Sequence, residues 1–376
     1  MSCTCKQTDA ETCPELPPYR PPSEAASILV RVTRGCAWNR CAFCQMYKAL
    51  RFSIRSLEEI EADLAAWRQA LIAGQPEGAR ERPDGAHEPA DSPNEPPDGA
   101  QPDAPVQPVA APAIFLGDAD ALVHPELPAI VRSVRRAFPE AERITAYGRL
   151  HTLWRRTPEF LRSLREAGLD RIHAGLESGA AATLAQMHKG IDPGRAIEGA
   201  RKALAAGFEL SLYVLLGLGG EDAWEAHARE SARVVAAAPP HFLRLRSLVV
   251  LPGTPLHERW LAGSYSPASP ITRLRETRLF VDELCARLEP SRPQDEPLPP
   301  AAVEIKIRSD HFSNYVWGDG RLIYEGIRGR LPADHALLRS TLDAAIAAAG
   351  ECRRVLDPGA LALQGRAQSL LRVPAL

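Results

Sequence analysis

TRGCAWNRCAFCQMYK, residues 33–48, places Cys36, Cys41 and Cys44 within nine residues of one another. It directly follows SILVRV (Ser27–Val32), a short, apolar, β-branched run that predicts a buried strand. Three thiols just past a strand predict a loop, because neither a helix nor a strand lets three sulfurs converge on one centre. Three thiolates hold three irons of a 4Fe–4S cube and leave the fourth iron open to a further ligand. Structural zinc ordinarily takes four ligands, and the loop offers three cysteines with no nearby histidine. A zinc knuckle and a set of inert thiols are the alternative readings of the same residues.

Downstream, Leu57–Ile72 carries Ile60, Leu64, Trp67 and Leu71 at helical spacing, on one face. Gly74–Pro112 is crowded with Pro, Gly, Asp and Glu and almost free of large apolar residues. Such a composition cannot bury enough surface to offset its ordering entropy, so a disordered insert within one domain is expected. A strand–helix rhythm then repeats, with strands at Ala113–Asp118, Arg143–Gly148, Arg171–Ser178, Phe208–Gly220 and His241–Gly253. This alternation implies an α/β fold with a parallel sheet and right-handed crossovers. Six units suit a partial (β/α)6 TIM-like barrel or a doubly wound sheet. The cysteine loop favours the barrel, whose chemistry gathers at the C-terminal ends of its strands. The rhythm stops after Gly263. A helix near Ile271–Leu288, a strand around Val303–Arg308, the run SDHFSNYVWGDG and a helix near His335–Ala349 predict a small C-terminal α+β extension. The expected organisation is a flexible tail (1–23), a core barrel (24–265) with the insert (74–112), and the extension (266–376).

The 376 residues carry 45 Lys and Arg against 47 Asp and Glu, a net charge of −2. That balance predicts no general attraction to nucleic acid or acidic membranes. No apolar run approaches the roughly 18 residues of a membrane span, and the first residues lack the apolar stretch of a signal peptide. A cytoplasmic location is the expectation. In such a setting clustered thiols point to metal or redox chemistry rather than disulfides. Cys3, Cys5 and Cys13 are candidates for an auxiliary cluster, with incidental cysteines as the plainer reading; Cys285 and Cys352 fall in helical patterns and read as core residues. Tyr147, Arg149 and His151 after strand three, and Tyr213 and Arg246 within strands five and six, either line a substrate cavity or pack. In Ser309–Tyr315, Asp310, His311 and Asn314 either reach a substrate or build a helix cap and turn.

The cysteine run, GD after strand two, GLESG after strand four and GLGG after strand five together resemble the radical S-adenosylmethionine (radical SAM) superfamily. The likeness is to its branch of methylthiotransferase, Elongator-type and oxygen-independent coproporphyrinogen oxidase barrels. It covers about Ser27 to Gly263 and extends weakly into SDHFSNY. One departure stands out: the usual spacing is C-x3-C-x2-C, whereas four residues separate Cys36 from Cys41. An uncharacterised subgroup with Trp-Asn in that gap is similar.

The resemblance implies a 4Fe–4S cluster on Cys36, Cys41 and Cys44 with S-adenosylmethionine at its open iron. Reductive cleavage would release a 5′-deoxyadenosyl radical that acts on a substrate the residues do not name. It places Phe43 along the adenine, Gly117 and Asp118 at the methionine amino group, and Glu177 at the ribose hydroxyls. Lys189 falls at the methionine carboxylate, and Gly217 and Gly219 where backbone approaches the adenine. A flavodoxin or ferredoxin is the implied electron donor. Two competing functions are a tRNA-modifying member of the superfamily and a non-catalytic iron–sulfur or zinc redox module. The first normally brings a basic RNA-binding appendage, for which Arg273, Arg275 and Arg278 are too few. The second needs none of the methionine and ribose contacts that GD, GLES and HKG supply.

Overall fold

Short, largely apolar runs form the strands of the computed structural model, which describes residues 14–72, 112–289 and 304–358. The strands are β1 (Ile28–Arg31), β2 (Ala113–Gly117), β3 (Arg143–Gly148), β4 (Arg171–Glu177), β5 (Glu209–Leu216) and β6 (Phe242–Ser247). Between and after them come α1 (Leu57–Ile72), α2 (Leu127–Ala137), α3 (Leu150–Arg155), α4 (Pro158–Glu166), α5 (Ala181–Gln186), α6 (Pro193–Ala205), α7 (Gly220–Ala237) and α8 (Pro255–Leu261). The expected α/β class, with six strand–helix units, is the class observed.

The chain forms two compact units. The first spans Met1–Ala37, Leu50–Tyr147 and Glu159–Arg171; the second spans Trp38–Ala49, Gly148–Pro158 and Ile172–Leu376. In the first, β1, β2 and β3 lie parallel in that order, with Ile28 beside Ile114 and Ile114 beside Ile144. Ile28, Val30, Ile114, Phe115 and Ile144 are all buried, as parallel strands covered on both faces require. Helix α1 presents Ile60, Leu64 and Trp67 to this core as predicted, and the Trp67 indole donates to the Leu29 carbonyl at 2.8 Å. Leu71, expected on the same face, is exposed. Residues 14–23, expected as part of a flexible tail, are instead held: Pro17 is buried, and a Cβ on Gly117 would lie 2.7 Å from the Pro17 ring.

In the second unit, β4, β5 and β6 are joined by β7 (Ile305–Arg308) and β8 (Arg328–Leu331). The strand near Val303–Arg308 was expected in a separate extension. It instead extends the sheet, parallel to β6, with Phe242 beside Lys306 and Arg244 beside Arg308, while β8 runs antiparallel to it. The sixth strand stops at Ser247, short of the expected Gly253, and Thr254 then caps α8 by accepting the His257 N–H. Helix α9 (Pro270–Leu288) packs against α7 and against α10 (His335–Glu351). The run after β7 is a turn and cap. Asn314 donates to the carbonyls of Leu245 (2.9 Å) and Ser309 (2.6 Å) and accepts from the Ser247 hydroxyl, while the His311 ring accepts the Ser313 N–H.

Cys3, Cys5, Cys13 and positions 74–111 of the expected insert lie outside the described residues. Among the described residues no helix is long and apolar enough to cross a membrane.

Candidate functional site

The first unit contributes the chain entering the cysteine loop. Asp118 follows β2 and is fully buried. Its Oδ2 accepts from Arg31 (2.9 and 3.2 Å) and from the Gly35 N–H (2.7 Å), the residue before Cys36. Gly35 has a φ of +74°, a conformation that favours glycine. Arg31, Arg34 and Arg55 all meet the Glu15 carboxylate, at 3.0, 2.6 and 3.3 Å, and Arg34 and Arg55 continue to Glu59 and Asp63. Burial opposes ionisation of Glu15, but the Arg34 hydrogen bond and the surrounding guanidinium charges outweigh it and hold its pKa below the usual carboxylate range. For Asp118 burial wins over Arg31, and the pKa is raised. Much of Asp118 is therefore committed to fixing the Gly35–Cys36 entry. Its Oδ1 is buried with no hydrogen-bond partner among the described residues, so an ammonium donor of the kind the resemblance implies fits that atom. Gly117 itself is required by close contact with Pro17.

The second unit holds the rest of the loop. The Trp38 indole donates to the His188 carbonyl at 2.7 Å, and the Ala42 N–H donates to the Met187 carbonyl at 3.0 Å. The loop is thus docked along the Met187–Gly190 turn. Gly190 has a φ of +76°, and a Cβ there would lie 2.4 Å from the Trp38 ring, so the indole seats where only glycine leaves room. Arg149 lies over the other ring contact, 5.1 Å from the indole centroid, and donates to the Lys189 carbonyl. Phe43 packs against the buried group that includes Ala42, Met187 and Leu218. Cys36, Cys41 and Cys44 are each half-buried and in no disulfide.

Glu177, the last residue of β4, has a φ of +65°. Left-handed backbone in a residue other than glycine is costly and concentrates at functional sites. Its side chain folds back over Gly175, where a Cβ would collide with Oε1 at 2.0 Å. There it pairs with Lys189 Nζ at 2.9 Å, with 17% and 11% of the two side chains exposed. Burial works against the Lys189 charge, but Glu177 and then Cys41 outweigh it, and the pKa is raised. That places Cys41 within electrostatic reach of the pair.

Behind the pair runs a buried relay. His227 Nε2–H donates to the Glu177 carbonyl (3.1 Å), His227 Nδ1 meets Glu276 (2.5 Å), and Glu276 accepts the Gly217 N–H (2.7 Å). The Tyr265 hydroxyl donates to the Gly217 carbonyl (2.8 Å). Both polar groups of Gly217 are therefore used inside the fold, and Gly219 lies so near the Ala223 carbonyl that a Cβ would sit 2.8 Å from it. Both glycines are thus closely packed within the fold. Trp38, His227 and Glu276 were not among the expected site residues. Trp38 had a signal, since it fills the unusual fourth position between Cys36 and Cys41. Nothing local marks His227 and Glu276, whose helices meet only in the folded chain. Among the described residues no group of three or more His, Cys, Asp or Glu side chains is disposed to hold a metal ion. By donor type the three cysteines suit an iron–sulfur cluster.

Residues 106–231 match the family described as the Radical SAM superfamily. Over that stretch, which is less than half of the chain, the sequence is similar to the radical SAM superfamily. The matched stretch holds Asp118, Glu177, Lys189, Gly217 and Gly219, while the cysteine loop precedes it. Among solved structures, methylornithine synthase (PylB) is 16% identical with a TM-score of 0.41, covering 68% of this chain and 61% of its own. The radical S-adenosylmethionine methyltransferase TsrM from Kitasatospora setae, solved with cobalamin and a [4Fe-4S] cluster, is 16% identical with a TM-score of 0.40, covering 60% and 38%. Coproporphyrinogen III oxidase (HemN) from Escherichia coli is 16% identical with a TM-score of 0.38, covering 46% and 40%. The chain thus spans less than two thirds of each, and likenesses this distant do not bear on its chemistry. No curated protein matches.

Proposed function

We propose that the chain is a radical SAM enzyme whose Cys36, Cys41 and Cys44 hold a 4Fe–4S cluster. The observation that carries this reading is the docking of the cysteine loop on the Met187–Gly190 turn, which sets Cys41 beside the Glu177–Lys189 pair. Bound there, the cluster supplies the electron for reductive cleavage of S-adenosylmethionine. The chain's own residues bind and orient. Asp118 Oδ1 accepts the methionine ammonium, Lys189 offers a positive charge to its carboxylate, and Glu177 accepts from the ribose hydroxyls. Phe43 supplies apolar surface for the adenine. A flavodoxin or ferredoxin is the fitting electron donor, and a cytoplasmic setting suits the reduced thiols.

Anaerobic reconstitution tests this. The protein should turn brown with about four irons and four sulfides per chain, and Cys36→Ala, Cys41→Ala or Cys44→Ala should bleach it. With dithionite it should convert S-adenosylmethionine to 5′-deoxyadenosine and methionine. Stoichiometric zinc without visible absorbance, or a full cluster that neither binds nor cleaves S-adenosylmethionine, would sink the proposal.

A further inference from the structure

Strand alternation divides the second unit's sheet into two faces. One carries Ala174, Leu212, Leu245 and Ile307, each essentially without exposure. The other is polar. Across β5, β6, β7 and β8 one row reads Tyr213, Arg244, Arg308, Arg328, each paired in register with the next. Ring contacts of Arg246 over Tyr213 (5.9 Å) and Lys306 over Phe242 (5.4 Å) confirm that these side chains share the face.

Three guanidiniums side by side in a sheet repel one another. Asp310 answers two of them, at 3.0 Å from Arg328 and 3.8 Å from Arg308. Arg244 is different: it is 7% exposed, its Nε has no hydrogen-bond partner, and no acidic side chain pairs with it among the described residues. Two register positions along β5 and on the same face, the fully buried Ser211 hydroxyl also lacks a partner among the described residues. A buried cation without a counter-charge is strongly unfavourable, and a planar guanidinium fork matches an oxyanion in two hydrogen bonds.

We propose that Arg244 and Ser211, with Arg246 and Tyr213 beside them, form a subsite for an oxyanion on a small-molecule substrate, a carboxylate or a phosphate ester. Burial of Arg244 keeps it from a nucleic-acid backbone, and the chain's net charge of −2 adds no attraction to one. Calling the ligand a substrate rests on the enzyme reading above; the subsite itself does not.

The test is thermal melting of the full chain, reconstituted anaerobically, in sodium phosphate or sodium succinate against sodium chloride of equal ionic strength. One of the two anions should raise the melting temperature saturably, by about 2 °C. A response to phosphate alone identifies a phosphate ester, and a response to succinate alone a carboxylate. Arg244→Gln should abolish the rise while retaining iron, and without ligand it should melt no lower than wild type. Arg244→Lys, which keeps the charge but not the fork, should weaken the rise. No response in wild type, a response that survives Arg244→Gln, or an Arg244→Gln chain that is less stable or unfolded without ligand would overturn the proposal. So would a short RNA that stabilises where both small anions fail. Missing iron or missing S-adenosylmethionine cleavage in wild type would strike the enzyme reading instead, because melting requires no turnover.

Discussion

Asp118 and Glu177 both stand at the C-terminal end of a parallel strand and both meet a cation, yet they do different work. Asp118 is fully buried and divides one oxygen between Arg31 and the Gly35 N–H. Glu177 keeps 17% of its side chain exposed, sits on a left-handed backbone, and meets Lys189 Nζ with one oxygen. The difference is the number of fixed donors. Three N–H donors from two residues on one buried oxygen make a clamp on the chain entering the cysteine loop. A single ammonium on one oxygen leaves a carboxylate whose other oxygen can take a second partner.

The largest expected effect tests the clamp. Asp118→Ala leaves the mostly buried Arg31 with Glu15 alone and takes the acceptor from the Gly35 N–H, and removing one partner of a buried pair costs about 3–5 kcal/mol. Urea unfolding should show it; an unchanged midpoint with lost S-adenosylmethionine binding would make Asp118 a ligand residue only. Glu177→Ala adds a loss of binding. It removes a charge-assisted contact, weakening S-adenosylmethionine roughly ten- to hundredfold by equilibrium binding, and because it leaves the mostly buried Lys189 without its counter-charge, stability falls by about 1–3 kcal/mol.

Gly190→Ala probes the turn that carries Lys189. Strained backbone together with the indole contact should cost about 1–3 kcal/mol. The double variant with Trp38→Ala should lose less than the sum of the two, and additivity would show that the indole does not need the glycine.

The smallest effect concerns pH. Glu15 and Glu59 are held below their ordinary pKa of 4.5, Glu15 by the balance described above and Glu59 chiefly by the Arg34 hydrogen bond. A carboxylate with a depressed folded-state pKa stabilises above its unfolded value and loses that contribution as pH falls through the folded value. The melting-temperature gap between wild type and Glu15→Gln should therefore be open at neutral pH and close below 4.5. A gap that persists in acid would show that Glu15 acts through packing.

Much of this was legible beforehand. Local composition marked the strands, since Ile-Phe-Leu and Ile-Thr-Ala runs have one use in an alternating chain, and Arg143–Gly148 was bounded to the residue. The cysteines, GLES and HKG pointed to one site, and Lys189 and Glu177 do meet. What local pattern missed was the use of Ile305–Arg308, whose Ile-Lys-Ile-Arg alternation fits an isolated hairpin as well as a seventh parallel strand.

By itself the sequence determined the repeat of strand and helix, the three thiols in a loop after the first strand, and the acids at strand ends, because each depends on spacing within a few residues. Only the tertiary structure decided which donors those acids meet, that Glu276 reaches Gly217 across 59 positions, and that Arg244 falls in register with Arg308. Register and long-range pairing follow from how whole elements settle against one another, and a one-residue slip would have turned every one of those side chains to the opposite face.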